Sequence, residues 1–152
     1  APAIEDAYYE EYLTGTNVAL VKNKTYPLLA HAAAALVTSG TATLETALFD
    51  VPQVVCYKTP VPWLIRFAFK HIIKVKYISL VNLIADREVV RELFANRFTL
   101  ANIVKELGLI LPGGGERQKM LADYAEVRQR LGDHVAPDNA ARIMVSLLKG
   151  ER

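Results

Sequence analysis

The chain has 152 residues, a length typical of one ordinary domain, which argues against two complete catalytic domains. Hydrophobic residues make up 52% and charged residues 22%, a balance that supports a packed interior and argues against a disordered chain. The net charge of +2 is too weak to indicate nucleic acid as a partner. The single cysteine, Cys56, excludes an internal disulfide and a multi-cysteine metal site, and it favours a reducing compartment.

The first part of the chain alternates apolar runs typical of strands with segments typical of helices. Residues 18–21 have the pattern of a short buried strand, and 26–33 that of a short helix. A second strand over 35–38 leads into a helix over 42–49, and 54–57 give a third strand. This order, with short connections, predicts an α/β fold in which a parallel sheet is flanked by helices.

The rest of the chain is predominantly helical. We expect an extended piece at 77–80 and helices over 63–74, 86–95, 99–108, 120–131 and 137–148. The glycine-rich run at 112–115 does not follow a strand with the spacing of a phosphate-binding loop, so we interpret it as a hinge. It divides the chain into a domain over 1–111 and C-terminal helices over 112–152 that pack on or across it.

The segment from Val37 to Glu45 is the strongest candidate for a binding site. A strand that runs into Ser39-Gly40-Thr41 and then into a helix presents backbone N–H groups and hydroxyls at a helix N-terminus, which suits a phosphate or diphosphate. Glu45 lies about one turn inside the helix, where a carboxylate can accept hydrogen bonds from two sugar hydroxyls. The alternative is an ordinary capped helix in which Ser39 or Thr41 bonds its own backbone.

A second unusual segment, residues 51–85, contains no acidic residue, but it contains basic residues mixed with aromatic and aliphatic ones. A basic helix with an apolar side is typical of a segment that lies at a membrane surface or binds an anionic headgroup. Alternatively, its apolar side packs on the sheet and its lysines are solvated. Its apolar stretch is shorter than the roughly 20 residues of a spanning helix. The candidate membrane-contacting residues are Trp63, Arg66, Phe67, Lys70 and Lys74.

Other polar residues give less decisive signals. Asn82 lies among apolar residues, where its amide either satisfies a buried backbone group or points into a ligand site, and the sequence leaves both open. The three histidines lie on separate predicted elements without metal-ligand spacing, which argues against a zinc site. No Ser-His-Asp or Cys-His set is evident either, so the chain shows no nucleophile or general base of its own.

Three blocks of sequence resemble lipid-A-disaccharide synthase. They are ALVTSGTATLE at 35–45, PQVVCY at 52–57 and YISLVNLIADREVVREL at 77–93. The third block is the most specific, because related sugar-nucleotide enzymes carry looser versions of the first. It departs from the family at Val81, where proline is usual, and at Asp86, where glycine is common.

The resemblance implies an inverting glycosyltransferase of the GT-B type, whose active site lies between two Rossmann-like domains. Residues 1–111 would be an incomplete Rossmann-like domain that binds the UDP-sugar. Such an enzyme transfers 2,3-diacylglucosamine from UDP to 2,3-diacylglucosamine 1-phosphate, releasing UDP, without a metal or other cofactor. It is cytoplasmic and peripheral on the inner face of the bacterial cytoplasmic membrane, and its partners are these two substrates and the membrane surface, with no nucleic acid. The resemblance leaves the oligomeric state open, and a homo-oligomer is one of the alternatives.

The resemblance also implies roles for particular residues. The diphosphate is held at Ser39, Gly40, Thr41 and Ala42, and the ribose is held by Glu45. Asn82, Arg87 and Glu88 line the cleft near the donor. The acceptor-side domain and its general base precede Ala1, so no catalytic residue is assigned, and we expect the isolated chain to bind UDP weakly and to be inactive. The alternatives are another UDP-sugar GT-B transferase, an enzyme similar to UDP-N-acetylglucosamine 2-epimerase, or a noncatalytic membrane-surface module.

Overall fold

A computed structural model of the chain describes residues 4–38, 40–58, 76–132 and 136–149. The chain divides into two compact units, Ala1–Ala32 and Ala33–Arg152. The first unit contains helix α1, Asp6–Leu13, and helix α2, Thr25–His31.

The strand predicted at 18–21 is wrong, because these residues form no strand in the first unit. The side chains of Val18, Leu20 and Val21 are exposed rather than buried. A strand is stabilised by hydrogen bonds to a neighbouring strand, and a four-residue apolar run does not by itself supply one.

The second unit contains a parallel sheet and five helices among its described residues. The strands are β1, Ala35–Val37, β2, Gln53–Tyr57, and β3, Arg91–Phe94. The helices are α3, Thr41–Leu48, α4, Leu80–Ala85, α5, Leu100–Ile110, α6, Arg117–Leu131, and α7, Ala136–Leu148. The sheet order is β1-β2-β3, with Leu36 opposite Val54 and Cys56 opposite Leu93. The predicted α/β class with a parallel sheet is therefore confirmed.

The central strand β2 is the most buried element of the sheet. Val54 and Val55 are 0% and 1% exposed although their side chains point to opposite faces, as expected for a parallel strand covered by helices on both sides. The core around them includes Val81 of α4 and Ile110 of α5. Tyr124 of α6 is buried in the same cluster, so one core joins the sheet to the helices that follow it.

The helix predicted over 86–95 is wrong. Ser79 caps α4 by accepting a hydrogen bond from the N–H of Asn82 at 3.3 Å, and Asp86 ends the helix in a left-handed conformation with φ 52°. The chain then extends into β3, which pairs with β2 from Arg91 to Phe94. The spacing of the apolar residues in this stretch fits both the helical period and the strand period. Pairing with the buried strand β2 favours the strand.

The glycine-rich run at 112–115 forms a tight turn between α5 and α6. The N–H of Gly114 donates to the carbonyl of Leu111 at 2.8 Å, and the N–H of Glu116 donates to that of Leu109 at 3.0 Å. The turn directs α6 back onto α3 and α4. The division into 1–111 and 112–152 stays a prediction.

Replacing Gly114 tests how tightly this turn is packed. A Cβ added at Gly114 would overlap the carbonyl group of Leu109, whereas a Cβ at Gly115 would have no atom within 4 Å. We expect Gly114→Ala to lower the free energy of unfolding by about 1–3 kcal/mol, the usual cost of overpacking. Gly115→Ala is the matched control, and equal chemical-denaturation midpoints for the two variants would contradict the prediction.

Candidate functional site

The three strands of the parallel sheet end at one edge. Their last residues are Val37, Tyr57 and Phe94, and Tyr57 lies directly opposite Phe94 in the register. In open α/β sheets, ligands bind outside the carboxyl ends of the strands, because loops and helix N-termini gather there. The turn from β1 into α3 is part of this edge.

The turn after β1 has a backbone conformation that favours glycine. Gly40 has φ 128° and ψ −160°, and it precedes the first residue of α3. The N–H and the hydroxyl of Thr43 both donate to the Gly40 carbonyl, at 3.2 and 2.8 Å. Within the described part of the chain, no acceptor is found for the N–H groups of Thr41 and Ala42. These two N–H groups, both at exposed residues, form a positive helix terminus that an anion can approach.

Of the residues predicted to hold the diphosphate, Gly40, Thr41 and Ala42 lie together at this terminus, and Ser39 lies outside the described residues. Glu45 follows Thr41 by one helical turn, so the two residues lie on the same face of α3. Glu45 is half-buried, and its carboxylate has no hydrogen bond or ion pair to any residue that the structure describes.

Asn82 satisfies buried backbone groups, which is the first of the two roles that its sequence context allows. It is 0% exposed, and its amide nitrogen donates to the carbonyl of Val90 at 2.8 Å and to Glu92 at 2.9 Å. Its amide oxygen accepts from the N–H groups of Val89 at 2.7 Å and Val90 at 2.9 Å. Two donors and two acceptor positions are thus used within the protein, so we assign Asn82 to the scaffold of the site.

Glu92 is a structural residue that the sequence reading missed. Only 7% of it is exposed, and its carboxylate accepts from the N–H groups of Ile78 and Ser79, at 3.0 and 2.9 Å. It also accepts from the Ser79 hydroxyl at 2.8 Å and from the Asn82 amide. These donors compensate its negative charge without a cation among them. No local signal marks Glu92, because it follows Arg91 and precedes Leu93 in a stretch where a helix was expected.

Arg87 and Glu88, the other two predicted cleft residues, lie between α4 and β3 and have different surroundings. Arg87 pairs with Asp123 at 3.0 Å and with Glu126, both on α6, and these carboxylates raise the pKa of its guanidinium. Arg87 in turn lowers the pKa of Glu126. Glu88 is exposed and pairs with Arg91 at 3.0 Å. Arg87 therefore ties α6 to the start of β3, whereas Glu88 faces solvent.

The residues predicted to contact a membrane lie outside the described part of the chain. They are Trp63, Arg66, Phe67, Lys70 and Lys74. Of the helices that the structure describes, none has the length and apolar composition required to cross a bilayer.

The contribution of the Glu92 carboxylate can be measured by Glu92→Gln. This change removes the charge and turns an amide nitrogen toward N–H donors, so we expect the free energy of unfolding to fall by about 1–3 kcal/mol, the cost of leaving buried groups unpaired. The control is Glu116→Gln, which removes a carboxylate from an exposed residue. Urea denaturation measures both, and a loss at Glu92 no larger than at Glu116 would refute the assignment.

Known proteins are similar to this chain over most of its length. A model of the lipid-A-disaccharide synthetase family matches residues 3–144. Lipid-A-disaccharide synthase of Solibacter usitatus is 35% identical over 147 residues, which cover 95% of this chain and 38% of the relative. The synthase of Gloeothece citriformis is 42% identical over 139 residues, covering 90% and 35%. That of Myxococcus xanthus is 35% identical over 150 residues, covering 97% and 39%.

The chain therefore spans between a third and two fifths of the length of these relatives. The match nevertheless covers the sheet, the turn into α3 and the Asn82–Glu92 region together. The chain belongs to the lipid-A-disaccharide synthetase family.

Proposed function

We propose that the chain is the donor-binding part of a glycosyltransferase of lipid A biosynthesis. The complete enzyme transfers 2,3-diacylglucosamine from UDP to 2,3-diacylglucosamine 1-phosphate with inversion, and it releases UDP. The family membership and the names of the relatives support this reaction. Because the chain spans only part of those relatives, the acceptor-side domain and the general base are assigned to the remainder of the enzyme.

The observation that carries the proposal is the turn from β1 into α3. The N–H groups of Thr41 and Ala42 lie at a helix N-terminus at the carboxyl edge of the sheet, and no acceptor is found for them within the described residues. The missing Cβ of Gly40 lets a ligand approach the backbone. A diphosphate bound there gains negative charge as the sugar leaves. Fixed N–H dipoles stabilise that charge without a metal ion.

Glu45 completes the donor site in this proposal. Its carboxylate lies one turn farther along α3, on the face of Thr41, and it has no partner within the described residues. A carboxylate repels phosphate but accepts two hydrogen bonds from neighbouring hydroxyls, so it suits the ribose rather than the diphosphate. Ser39 contributes a further hydroxyl to the diphosphate, and Glu88 lies at the edge of the cleft.

Titration of the chain with UDP, followed by amide NMR, tests the donor site. We expect chemical-shift changes at residues 40–45 and a dissociation constant raised about tenfold or more by Glu45→Gln, since hydrogen bonds to charged groups contribute about 1.5–3 kcal/mol. Gly40→Ala should also weaken UDP binding, because its φ of 128° is strained for alanine while its added Cβ meets no atom within 4 Å.

Glu116→Gln is the control for Glu45→Gln, because it removes the charge of a distant exposed carboxylate. It should leave the UDP affinity unchanged. The proposed function would be contradicted if the amide signals of residues 40–45 did not shift at millimolar UDP. Equal UDP affinities of the Glu45 and Glu116 variants would contradict it too.

We also assign the basic segment a place at the inner face of the cytoplasmic membrane. Both substrates carry acyl chains, and the acid-free stretch 51–85 combines cations with aromatic residues. Replacing Lys70 and Lys74 with glutamine should reduce co-sedimentation with vesicles that contain phosphatidylglycerol. The reduction should be larger at low salt, where charges are less screened. Lys105→Gln with Lys119→Gln is the charge-matched control. Equal sedimentation of the two double variants would contradict the assignment.

A further inference from the structure

Thr43 is a buried residue in the first turn of α3, and the proposed donor site gives it no role. It is 0% exposed, whereas Thr41 and Ala42, whose N–H groups are proposed to bind the diphosphate, are exposed. The hydroxyl of Thr43 is therefore not placed to contact a ligand itself. It donates instead to the carbonyl of Gly40 at 2.8 Å, and the N–H of Thr43 donates to the same carbonyl at 3.2 Å.

The carbonyl that Thr43 binds belongs to the same peptide group as the N–H of Thr41. A trans peptide group is planar, and its C=O and N–H bonds point in opposite directions. A contact that fixes the carbonyl of Gly40 therefore also fixes the direction of the Thr41 N–H. Because both donors of Thr43 hold the carbonyl toward the body of α3, the N–H is directed away from it.

Gly40 by itself gives this peptide group little rigidity. Glycine has access to more backbone conformations than any other residue, and a Cβ added at Gly40 would meet no atom within 4 Å. Neither local stereochemistry nor side-chain packing therefore holds the peptide between residues 40 and 41 in one orientation. Among the contacts described for this turn, the two hydrogen bonds from Thr43 are the ones that restrict its rotation.

Thr43 is itself anchored by residues outside α3. Gln53 of β2 is 0% exposed, and its side-chain nitrogen donates to the carbonyl of Thr43 at 2.8 Å. The same nitrogen lies 3.3 Å from the hydroxyl of Tyr124 on α6, and this hydroxyl donates to the carbonyl of Val51 at 3.3 Å. The first turn of α3 is thus tied to the central strand of the sheet and to α6, which makes Thr43 a fixed point for the residues before it.

We infer that Thr43 is a positioning residue of the diphosphate site, and that its hydroxyl orients the N–H of Thr41 for the ligand. The effect on binding rests on the proposed function, whereas the orientation of the peptide group does not. An N–H that is already oriented loses less free energy when an anion binds than one on a freely rotating peptide. The alternative is that the hydroxyl only strengthens the start of the helix, as back-bonded threonines do elsewhere.

The variant Thr43→Val tests the inference, because it removes the hydroxyl and keeps the branched shape. We expect the dissociation constant for UDP, measured by amide NMR on the 152-residue chain, to rise about threefold to tenfold, since the peptide then has the binding orientation for a smaller fraction of the time. Thr43→Ala removes the hydroxyl without placing a methyl group near the Gly40 carbonyl and should show the same loss. Thr43→Ser keeps the hydroxyl and should retain the affinity to within about twofold.

Thr46→Val is the matched control on the same helix. Thr46 is 2% exposed, and its hydroxyl donates to the carbonyl of Ala42 at 2.7 Å. That carbonyl shares its peptide group with the N–H of Thr43, which already donates to Gly40. We therefore expect Thr46→Val to lower the urea midpoint as Thr43→Val does, but to leave the UDP affinity within about twofold. Equal UDP affinities of the two valine variants would overturn the inference.

The direction of the Thr41 N–H, measured without UDP, separates this inference from the proposed function. Its residual dipolar coupling in the weakly aligned chain should change in Thr43→Val and stay the same in Thr46→Val. If the coupling is unchanged in Thr43→Val while UDP shifts the signals of residues 40–45, the inference fails and the proposed function stands. If the coupling changes while UDP shifts none of these signals in the unmodified chain, the proposed function fails and the orienting role of Thr43 stands.

Discussion

A buried hydrogen-bond network between α4 and β3 fixes the geometry on which the sheet edge depends. Asn82 binds the backbone of Val89 and Val90, and Glu92 binds that of Ile78 and Ser79, so the chain on both sides of α4 is tied to one strand. A carboxylate that is only 7% exposed is costly to bury without donors, and here the backbone supplies them. The network is satisfied only when α4 and β3 have this relative position.

The position of β3 in turn determines which groups meet at the carboxyl edge. Its pairing with β2 brings Phe94 opposite Tyr57, and the pairing of β2 with β1 places the start of α3 beside them. The start of α3 and the end of β3 therefore lie at the same edge of the sheet.

The sequence correctly predicted several elements that depend on short-range interactions. Thr99 caps α5 through its side chain, as expected from a threonine before an apolar-periodic run. The strands near 35–38 and 54–57 and the helix after Gly40 also follow from short-range patterns. Residues 86–95 misled the prediction because their apolar spacing fits helix and strand, and no local signal shows that β2 offers a partner there. The role of Asn82 depended on contacts seven and eight residues away, which spacing does not reveal.

The sequence by itself determined the α/β class, the family resemblance and the segment from β1 into α3 that contains Gly40, Thr41 and Glu45, because these depend on short segments with a fixed order. The tertiary structure alone decided that Glu92 and Asn82 hold the scaffold and that Arg87 binds α6. These facts depend on which side chains meet across strands and helices, and hydrogen bonds and ion pairs form only between groups that the fold has brought within a few ångströms.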